Sequence, residues 1–117
     1  MKTETIYIQG LEREIVFHIG SNQYENFQVI DMGSPDDLWF HVKNESSCHV
    51  VGIIPPDIID KKQLRYIIKT GASLCKSHTN KLKSVKNIEI IYTKIQYITK
   101  TNIAGCVTTI NTKSIIC

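Results

Sequence analysis

The sequence has no long apolar run, no cysteine pair at metal-binding spacing and no common nucleotide-binding fingerprint. No stretch approaches the roughly 18 consecutive apolar residues of a membrane span, and the N-terminal MKTETIYIQG lacks the apolar core of a secretion signal. The four cysteines (Cys48, Cys75, Cys106 and Cys117) form no C-x-x-C pair. Walker-type loops, dinucleotide motifs and metalloprotease helices are also absent. We therefore expect a cytoplasmic protein with free thiols, no metal, no cofactor and no membrane partner.

The composition that is present predicts one globular domain with an uneven charge distribution. With 117 residues, 42% of them hydrophobic and 21% charged, the chain matches a single domain over residues 1–117. Residues 1–60 hold three Lys and Arg against ten Asp and Glu, whereas residues 61–117 hold eleven against one acid, Glu89. A polyanion would be attracted to the second half. The alternative is that lysine is simply the usual surface residue of this protein.

Alternating apolar residues separated by turn residues predict two hairpins before a long helix. The predicted strands are Thr5–Gln9, Glu14–Ile19, Asp37–Val42 and Cys48–Ile54. A short helix between the hairpins is capped by Asn22 and stopped at Gly33-Ser34-Pro35. In the third strand, the side chains of Asp37, Trp39 and His41 share one face. An aromatic ring, an imidazole and a carboxylate make a poor core layer and a plausible working surface.

The second half contains one long amphipathic helix and several strands. Asp60 and Gln63 form a capping box at its start. Its apolar stripe is Leu64, Ile67, Ile68, Gly71, Leu74 and Cys75, and its basic residues on the other side are Lys62, Arg65, Lys69 and Lys76. A basic loop with Lys81, Lys83 and Lys86 follows, then a long strand or a bent strand pair at Ile88–Ile98, and short final strands at Gly105–Ile110 and Ser114–Ile116. The fold class is α+β, with a largely antiparallel sheet in the order β-β-α-β-β-α-β-β and the long helix packed on it.

The segment from Gly20 to Val51 contains the most specific pattern. Its DLWFH at residues 37–41 and SCHVV at residues 47–51 resemble the signature of the NFACT RNA-binding domain family. Gly20-x-Asn22 and Asn26 occupy the places of the family's Gly-x-Asn and downstream Asn, and Tyr92-Thr93 and Gly105-x-Val107 resemble its C-terminal strand region. The residues of this segment are most similar to those of small eukaryotic coiled-coil-domain proteins that begin with this domain.

The resemblance implies a nucleic-acid-binding module without catalytic activity. Full-length family members engage tRNA and the large ribosomal subunit in ribosome-associated quality control, so RNA (tRNA or rRNA) is the implied partner, with DNA or a ribosomal protein as further candidates. The residues expected to contact nucleic acid are Asp37, Trp39, His41, Ser47, His49, Lys62, Arg65, Lys69, Lys81 and Lys83. Two departures from the family remove potential phosphate contacts: Ser21 stands where a basic residue is common, and the basic loop before the last strand is reduced to residues 100–105.

The residues alone leave several alternatives open. His41 and His49 could face each other across the ladder and bind phosphate, hold a metal with Asp37, or be partly buried structural residues. Trp39 could stack on an unpaired base or pack beneath the first helix. The basic side of the long helix could track a phosphate backbone or be only its solvated side. Ser46-Ser47 beside His49 lacks an orienting group and an oxyanion turn, so we expect no enzyme. The alternative function is a module that docks a ribosomal or quality-control protein.

Overall fold

The computed structural model describes all 117 residues, and its fold is α+β, as predicted. The two helices are α1 (Gln23–Asp31) and α2 (Lys61–Ser77). The eight strands are β1 (Lys2–Ile8), β2 (Arg13–Gly20), β3 (Leu38–Val42), β4 (His49–Gly52), β5 (Glu89–Lys94), β6 (Ile98–Lys100), β7 (Val107–Thr109) and β8 (Lys113–Ile116). Each predicted hairpin and helix is present, and β1 begins earlier than its predicted start at Thr5.

Six strands form one antiparallel sheet in the order β1-β2-β4-β3-β5-β8. The predicted order of hairpins and helices agrees with the structure, which has four strands after the long helix. The segment predicted as a long strand or a bent strand pair is divided into β5 and β6 by a 3-10 turn, Ile95–Tyr97. Beyond this turn, β6 leaves the main sheet and pairs with β7 in a separate ribbon, and β8 then returns to pair with β5.

The two helices cover opposite faces of the main sheet, so each strand presents alternate residues to a different core. Phe40 and Val42 of β3 belong to the larger core, together with Ile67 and Cys75 of α2. Trp39, the residue between them, belongs to a smaller core with Val29 and Ile30 of α1 and Val51 of β4. The period of two along a strand therefore separates the side chains of β3 into two environments.

Helix α2 packs closely on the sheet at Gly71. A Cβ atom at Gly71 would overlap the ring of Phe40, so any larger residue would push the helix outward. The side chain of Asp60 caps the helix by accepting from the backbone N of Lys62 at 2.6 Å. These contacts fix which side of α2 faces solvent.

Two further findings concern the whole chain. No helix has the length and apolar character needed to cross a lipid bilayer. All four cysteines are free thiols, as predicted, and the pair Cys48 and Cys75 is buried between β4 and α2. The Cys48 thiol donates to the backbone carbonyl of Cys75 at 3.2 Å.

Candidate nucleic-acid interface

Helix α1 is positioned by the Gly and Asn residues that precede and begin it. The side-chain oxygen of Asn22 caps the helix, accepting from the backbone N of Tyr24 at 3.1 Å and of Glu25 at 2.9 Å. Gly20 lets the helix approach the end of β2, since a Cβ there would lie 2.7 Å from the side-chain oxygen of Asn26. That same oxygen accepts from the backbone N of His49 at 3.2 Å. The lead-in pattern is therefore explained by the docking of α1 on β4.

Beneath α1, three ring side chains from β3 and β4 form one cluster. His41 and His49 face each other with ring centroids 4.8 Å apart and nearly perpendicular planes, which confirms the predicted pairing across the ladder. The ring of Trp39 lies parallel to that of His41, with an interplanar angle of 7° and centroids 5.5 Å apart. The indole Nε1–H of Trp39 donates to Nδ1 of His49 at 3.0 Å. The three rings hold each other in fixed orientations.

Both imidazoles of this cluster are held in the neutral form. Burial, followed by the proximity of His41, lowers the pKa of His49 to about 3. Burial also lowers the pKa of His41, partly opposed by a hydrogen bond with the backbone of Val42. Because the indole N–H is only a donor, Nδ1 of His49 must be an acceptor, and the ring carries its proton on Nε2. A neutral pair offers hydrogen bonds to a ligand but no positive charge.

A cavity of about 820 Å³ opens over this cluster, and we call it the motif groove. Its lining includes Trp39, His41, Ser47 and His49 of the motif, the start of α1 (residues 21–23), the segment after α2 (residues 78–81) and residues 104–107 before and at the start of β7. The last segment packs against the start of α1 at Gly105, where the φ is 80° and a Cβ would lie 2.8 Å from Cα of Gln23, so that glycine suits this position. The lysine of the groove, Lys81, is paired with Glu45 at 3.8 Å.

Asp37 and Ser47, two of the predicted contact residues, form hydrogen bonds to backbone groups near the ends of strands. Asp37 is 3% exposed and lies outside the groove, and its carboxylate accepts from the backbone N of Ser34 at 2.7 Å and of Ile54 at 2.8 Å. Ser47 accepts from the backbone N of Val42 at 3.1 Å and donates to the carbonyl of Cys48 at 2.9 Å. Asp37 thus joins two loops, while Ser47 shapes the turn at the rim of the groove.

The burial of these residues bears on two of the open alternatives. Trp39 is 2% exposed and packs beneath α1, so its ring face is not available to a base and the stacking interpretation of Trp39 is wrong for this structure. Asp37 does not converge with His41 and His49, because its carboxylate accepts from two backbone amides and it lies outside the groove that the two imidazoles line.

On the opposite side of the sheet, α2 presents a line of basic side chains to solvent. Lys62, Arg65, Lys69 and Lys76 recur at spacings of three, four and seven residues, which places them along one side of the helix, and we call them the basic stripe. At 1.5 Å per residue it extends for about 21 Å. Toward the C-terminal end of the helix, Lys69, Lys76 and Lys83 line a second cavity of about 420 Å³, together with Ser73, Ser77 and the end of β8.

The ion pairs show which Lys and Arg side chains are compensated by an acid and which are not. Six of the fourteen Lys and Arg residues are paired with acids: Lys2, Arg13, Lys43, Lys81, Lys94 and Lys100. The other eight form no ion pair, and they are Lys61, Lys62, Arg65, Lys69, Lys76, Lys83, Lys86 and Lys113. Five of these eight are on α2, two are in the loop after it, and Lys113 is at the start of β8. The uncompensated positive charge is therefore concentrated around α2.

The ten predicted contact residues fall into two groups that the structure does not bring together. Trp39, His41, Ser47, His49 and Lys81 surround the motif groove, whereas Lys62, Arg65, Lys69 and Lys83 lie on or beside α2 and Asp37 belongs to neither group. Lys113, which sequence analysis did not single out, is also unpaired and stands at the start of β8, across from Tyr92 of β5. No local pattern around Lys113 could have indicated this long-range pairing. Whether any of these residues contacts nucleic acid stays a prediction.

Comparison with known proteins identifies relatives over most of the chain. The sequence model of the NFACT protein RNA binding domain family matches residues 4–110. Coiled-coil domain-containing protein 25 of Danio rerio is 31% identical over 84 residues, which cover 72% of this chain and 41% of the relative. The protein of the same name from Mus musculus is 29% identical over 84 residues, covering 72% and 40%. The chain therefore spans about two fifths of the length of these relatives.

A solved structure supports the same fold. The C-terminal part of the fibronectin/fibrinogen-binding protein from Streptococcus suis superposes with a TM-score of 0.78 at 20% sequence identity. The match covers 99% of this chain and 45% of that one. At this level of identity the likeness concerns the fold of the domain.

Proposed function

The chain belongs to the NFACT RNA-binding domain family, and on that premise we propose that it binds RNA through the phosphate backbone, using α2 and the loop that follows it. We further propose that the RNA is tRNA or rRNA and that binding serves translation or ribosome-associated quality control. In this proposal the protein acts in the cytoplasm as a binding module and performs no chemistry of its own.

The observation that carries the proposal is the set of seven unpaired cations on α2 and in the loop that follows it. A lysine already paired with an acid must lose that partner to meet a phosphate, whereas an unpaired lysine only releases water and counterions. The basic stripe is exposed along its length, apart from the half-buried Lys76, whose ammonium donates to the backbone oxygen of Cys117 at 3.2 Å. Phosphates aligned on such a stripe would be bound with little reading of base sequence.

A second candidate function is docking of a ribosomal or quality-control protein. It is favoured by the motif groove, where the lysine is compensated by Glu45 and the imidazoles are neutral. Such a surface gives a binding reaction that depends weakly on salt, in contrast to the steep dependence of phosphate contacts. The salt dependence of binding therefore separates the two candidates.

The test is fluorescence-anisotropy binding to labelled tRNA, a single-stranded RNA and a duplex DNA across a salt series. Lys62→Gln/Lys69→Gln removes two unpaired cations of the stripe, and Lys94→Gln/Lys100→Gln removes two cations that are paired with Asp36 and Asp31 and lie outside α2 and the loop that follows it. We expect the first variant to weaken tRNA binding and to lower the salt slope by about two, while the control changes neither.

Two outcomes would overturn the proposal. One is the absence of binding to all three nucleic acids at low salt. The other is an equal loss of affinity in both double variants, because that would mean that total charge matters and the position of the charge on α2 does not. Tighter binding to the duplex DNA than to either RNA would contradict the assignment of RNA as the ligand.

A further inference from the structure

We propose that the motif groove holds one unpaired nucleobase of the bound RNA, stacked on the ring of His41. This inference rests on the proposed function for the identity of the ligand, but it concerns a different side of the molecule. The phosphate contacts of α2 supply attraction without selectivity, and the groove would add a stacking contact with a single base.

The ring geometry provides the platform. Trp39 is fully enclosed, and His41, its parallel neighbour, is only partly buried. The ring of His49 lies edge-on to both rings, with its centroid 5.3 Å from that of Trp39 and 4.8 Å from that of His41. This contact fixes the orientation of the two parallel rings. A base placed against His41 would extend the parallel pair of Trp39 and His41. Imidazole rings are among the side chains on which unpaired bases stack in RNA-binding proteins.

The charge of the groove favours a base over a phosphate. The facing titratable groups are His41 and His49 of the two strands, Cys48 beside them, Glu45 of the turn, His78 and Lys81 after α2, and Cys106 before β7. Both imidazoles are held neutral by burial, and the ammonium of Lys81 is compensated by Glu45. A phosphate entering here would lose hydration without meeting a free cation, whereas the neutral edge of a base requires only hydrogen-bond partners.

Hydrogen-bonding groups line the same walls. The side-chain amide N of Asn22 remains free, because the cap uses only its oxygen. Asn80 and Ser46 are further polar side chains of the lining. The cavity volume of about 820 Å³ lies within the range of about 300–1,000 Å³ typical of small-ligand sites. A nucleoside therefore fits both the size and the polarity of the groove.

One loop connects the groove to the basic side. Residues 78–81 line the motif groove, and Lys83, two residues later, lines the second cavity with Lys69 and Lys76. A single strand of RNA that crosses this loop can place phosphates on the lysines of α2 and a base in the groove. This path links the two groups of predicted residues through a ligand, although the protein itself does not bring them together.

The experiment titrates the protein with adenosine, adenosine 5′-monophosphate, ribose 5-phosphate and inorganic phosphate while following NMR signals. The chain has one tryptophan, so the indole N–H signal of Trp39 is an unambiguous reporter at the floor of the groove. We expect saturable shifts of this signal and of the His41 ring with adenosine and its monophosphate, and none with ribose 5-phosphate or phosphate. No response to adenosine or to its monophosphate, or an equal response to ribose 5-phosphate or inorganic phosphate, would overturn the inference.

Two variants of the platform sharpen the result. His41→Ala removes the ring and is expected to weaken adenosine binding by roughly 5- to 150-fold, the range for loss of one base stack. His41→Phe keeps a flat ring and is expected to restore most of that loss. If His41→Phe binds adenosine as weakly as His41→Ala, the stacking platform is wrong. Indole and amide spectra of each variant confirm that the fold is retained.

The pH dependence provides a separate readout. Because burial lowers the pKa of both imidazoles below its ordinary value, adenosine binding should stay constant between pH 7 and 8. An affinity that rises steeply as pH falls would indicate an imidazolium contacting an anion and would contradict base binding.

Failure here is distinguishable from failure of the proposed function. If His41→Ala binds tRNA as tightly as the wild type while Lys62→Gln/Lys69→Gln does not, the base site is rejected and the phosphate face stands. If adenosine binds in the groove but no RNA binds at any salt concentration, the phosphate face is rejected and the base site stands.

Discussion

The two sides of this sheet carry different kinds of residue: the α1 side has the uncommon pattern of Trp, His and Asp side chains, and the α2 side has lysines. On the α1 side, Trp39, His49 and Asp37 are nearly inaccessible, and the indole N–H of Trp39, Nδ1 of His49 and the carboxylate of Asp37 have hydrogen-bond partners within the protein. On the α2 side, ordinary lysines spaced along a helix are exposed and unpaired. The side with the more specific sequence pattern is therefore the side with less free chemistry at its surface.

This difference shows that an uncommon residue pattern can arise from the requirements of internal packing as well as from those of ligand contact. An indole that must donate to an imidazole, which in turn faces a second imidazole, tolerates few replacements. A lysine on the outer side of a helix tolerates many, provided that the total charge remains. Substitutions on the two sides should therefore separate stability from binding.

The largest expected effect is that of Trp39→Ala. Removing this buried ring should lower the free energy of unfolding by about 3–5 kcal/mol, measured by urea denaturation. Lys62→Gln/Lys69→Gln, the matched change on the exposed side, should alter it by less than about 0.5 kcal/mol. A stable Trp39→Ala protein that had lost only RNA binding would reverse the comparison between the two sides.

Asp37→Ala should have the next largest effect. It removes the acceptor of the part-buried hydrogen bonds from the backbone N of Ser34 and of Ile54, and hydrogen bonds to charged groups contribute about 1.5–3 kcal/mol each. Asp37→Asn, which keeps one oxygen, should lose less. Because Asp37 lies outside both cavities, the folded fraction of either variant should bind tRNA with unchanged affinity. A loss of affinity at full folding would place Asp37 in the interface.

Much of this architecture was accessible from local sequence signals. Asn22, Asp60 and the turn residues marked the helix starts and hairpins because caps and turns depend on neighbours in the sequence. The position of β8 beside β5 was not accessible, because it depends on where the chain returns after the β6–β7 ribbon. For the site, the pairing of His41 with His49 followed from adjacent strands, whereas the burial of Trp39 depended on the docking of α1.

A smaller effect concerns the pH dependence of stability. In the unfolded chain His49 has a pKa near 6.5, and in the folded protein burial and His41 lower it to about 3. The unfolded state therefore binds the proton first as pH falls, so stability is complete above pH 6.5 and declines below it until about pH 3. One proton corresponds to about 1.4 kcal/mol per pH unit.

His49→Asn isolates this contribution, since its side-chain oxygen can accept from Trp39. Between pH 6.5 and 5, urea denaturation should give a shallower decline for His49→Asn than for the wild type, by about one proton. Identical slopes would mean that His49 is charged in the folded protein, and the motif side would then carry charge like the α2 side.

The smallest expected effect is that of a single charge in the loop after α2. Lys83→Gln should lower the slope of log affinity against log salt by about 0.7–0.9, measured by anisotropy with tRNA. Lys94→Gln, at a paired lysine, is the control and should leave the slope unchanged. Equal slopes for Lys83→Gln and the wild type would remove this loop from the phosphate path.

The pairing of β8 with β5 has a consequence for how the domain is delimited. The family match ends at residue 110, yet residues 113–116 close the flank of β5, and Ile88 and Cys117 exchange backbone hydrogen bonds of 2.8 Å in both directions. A chain cut at the end of the match would leave this row of amides and carbonyls bare, beside the apolar side chains of Ile90 and Tyr92. Such a bare strand recruits a strand from another molecule. The structural unit, which includes β8, is therefore longer than the segment that the family model matches.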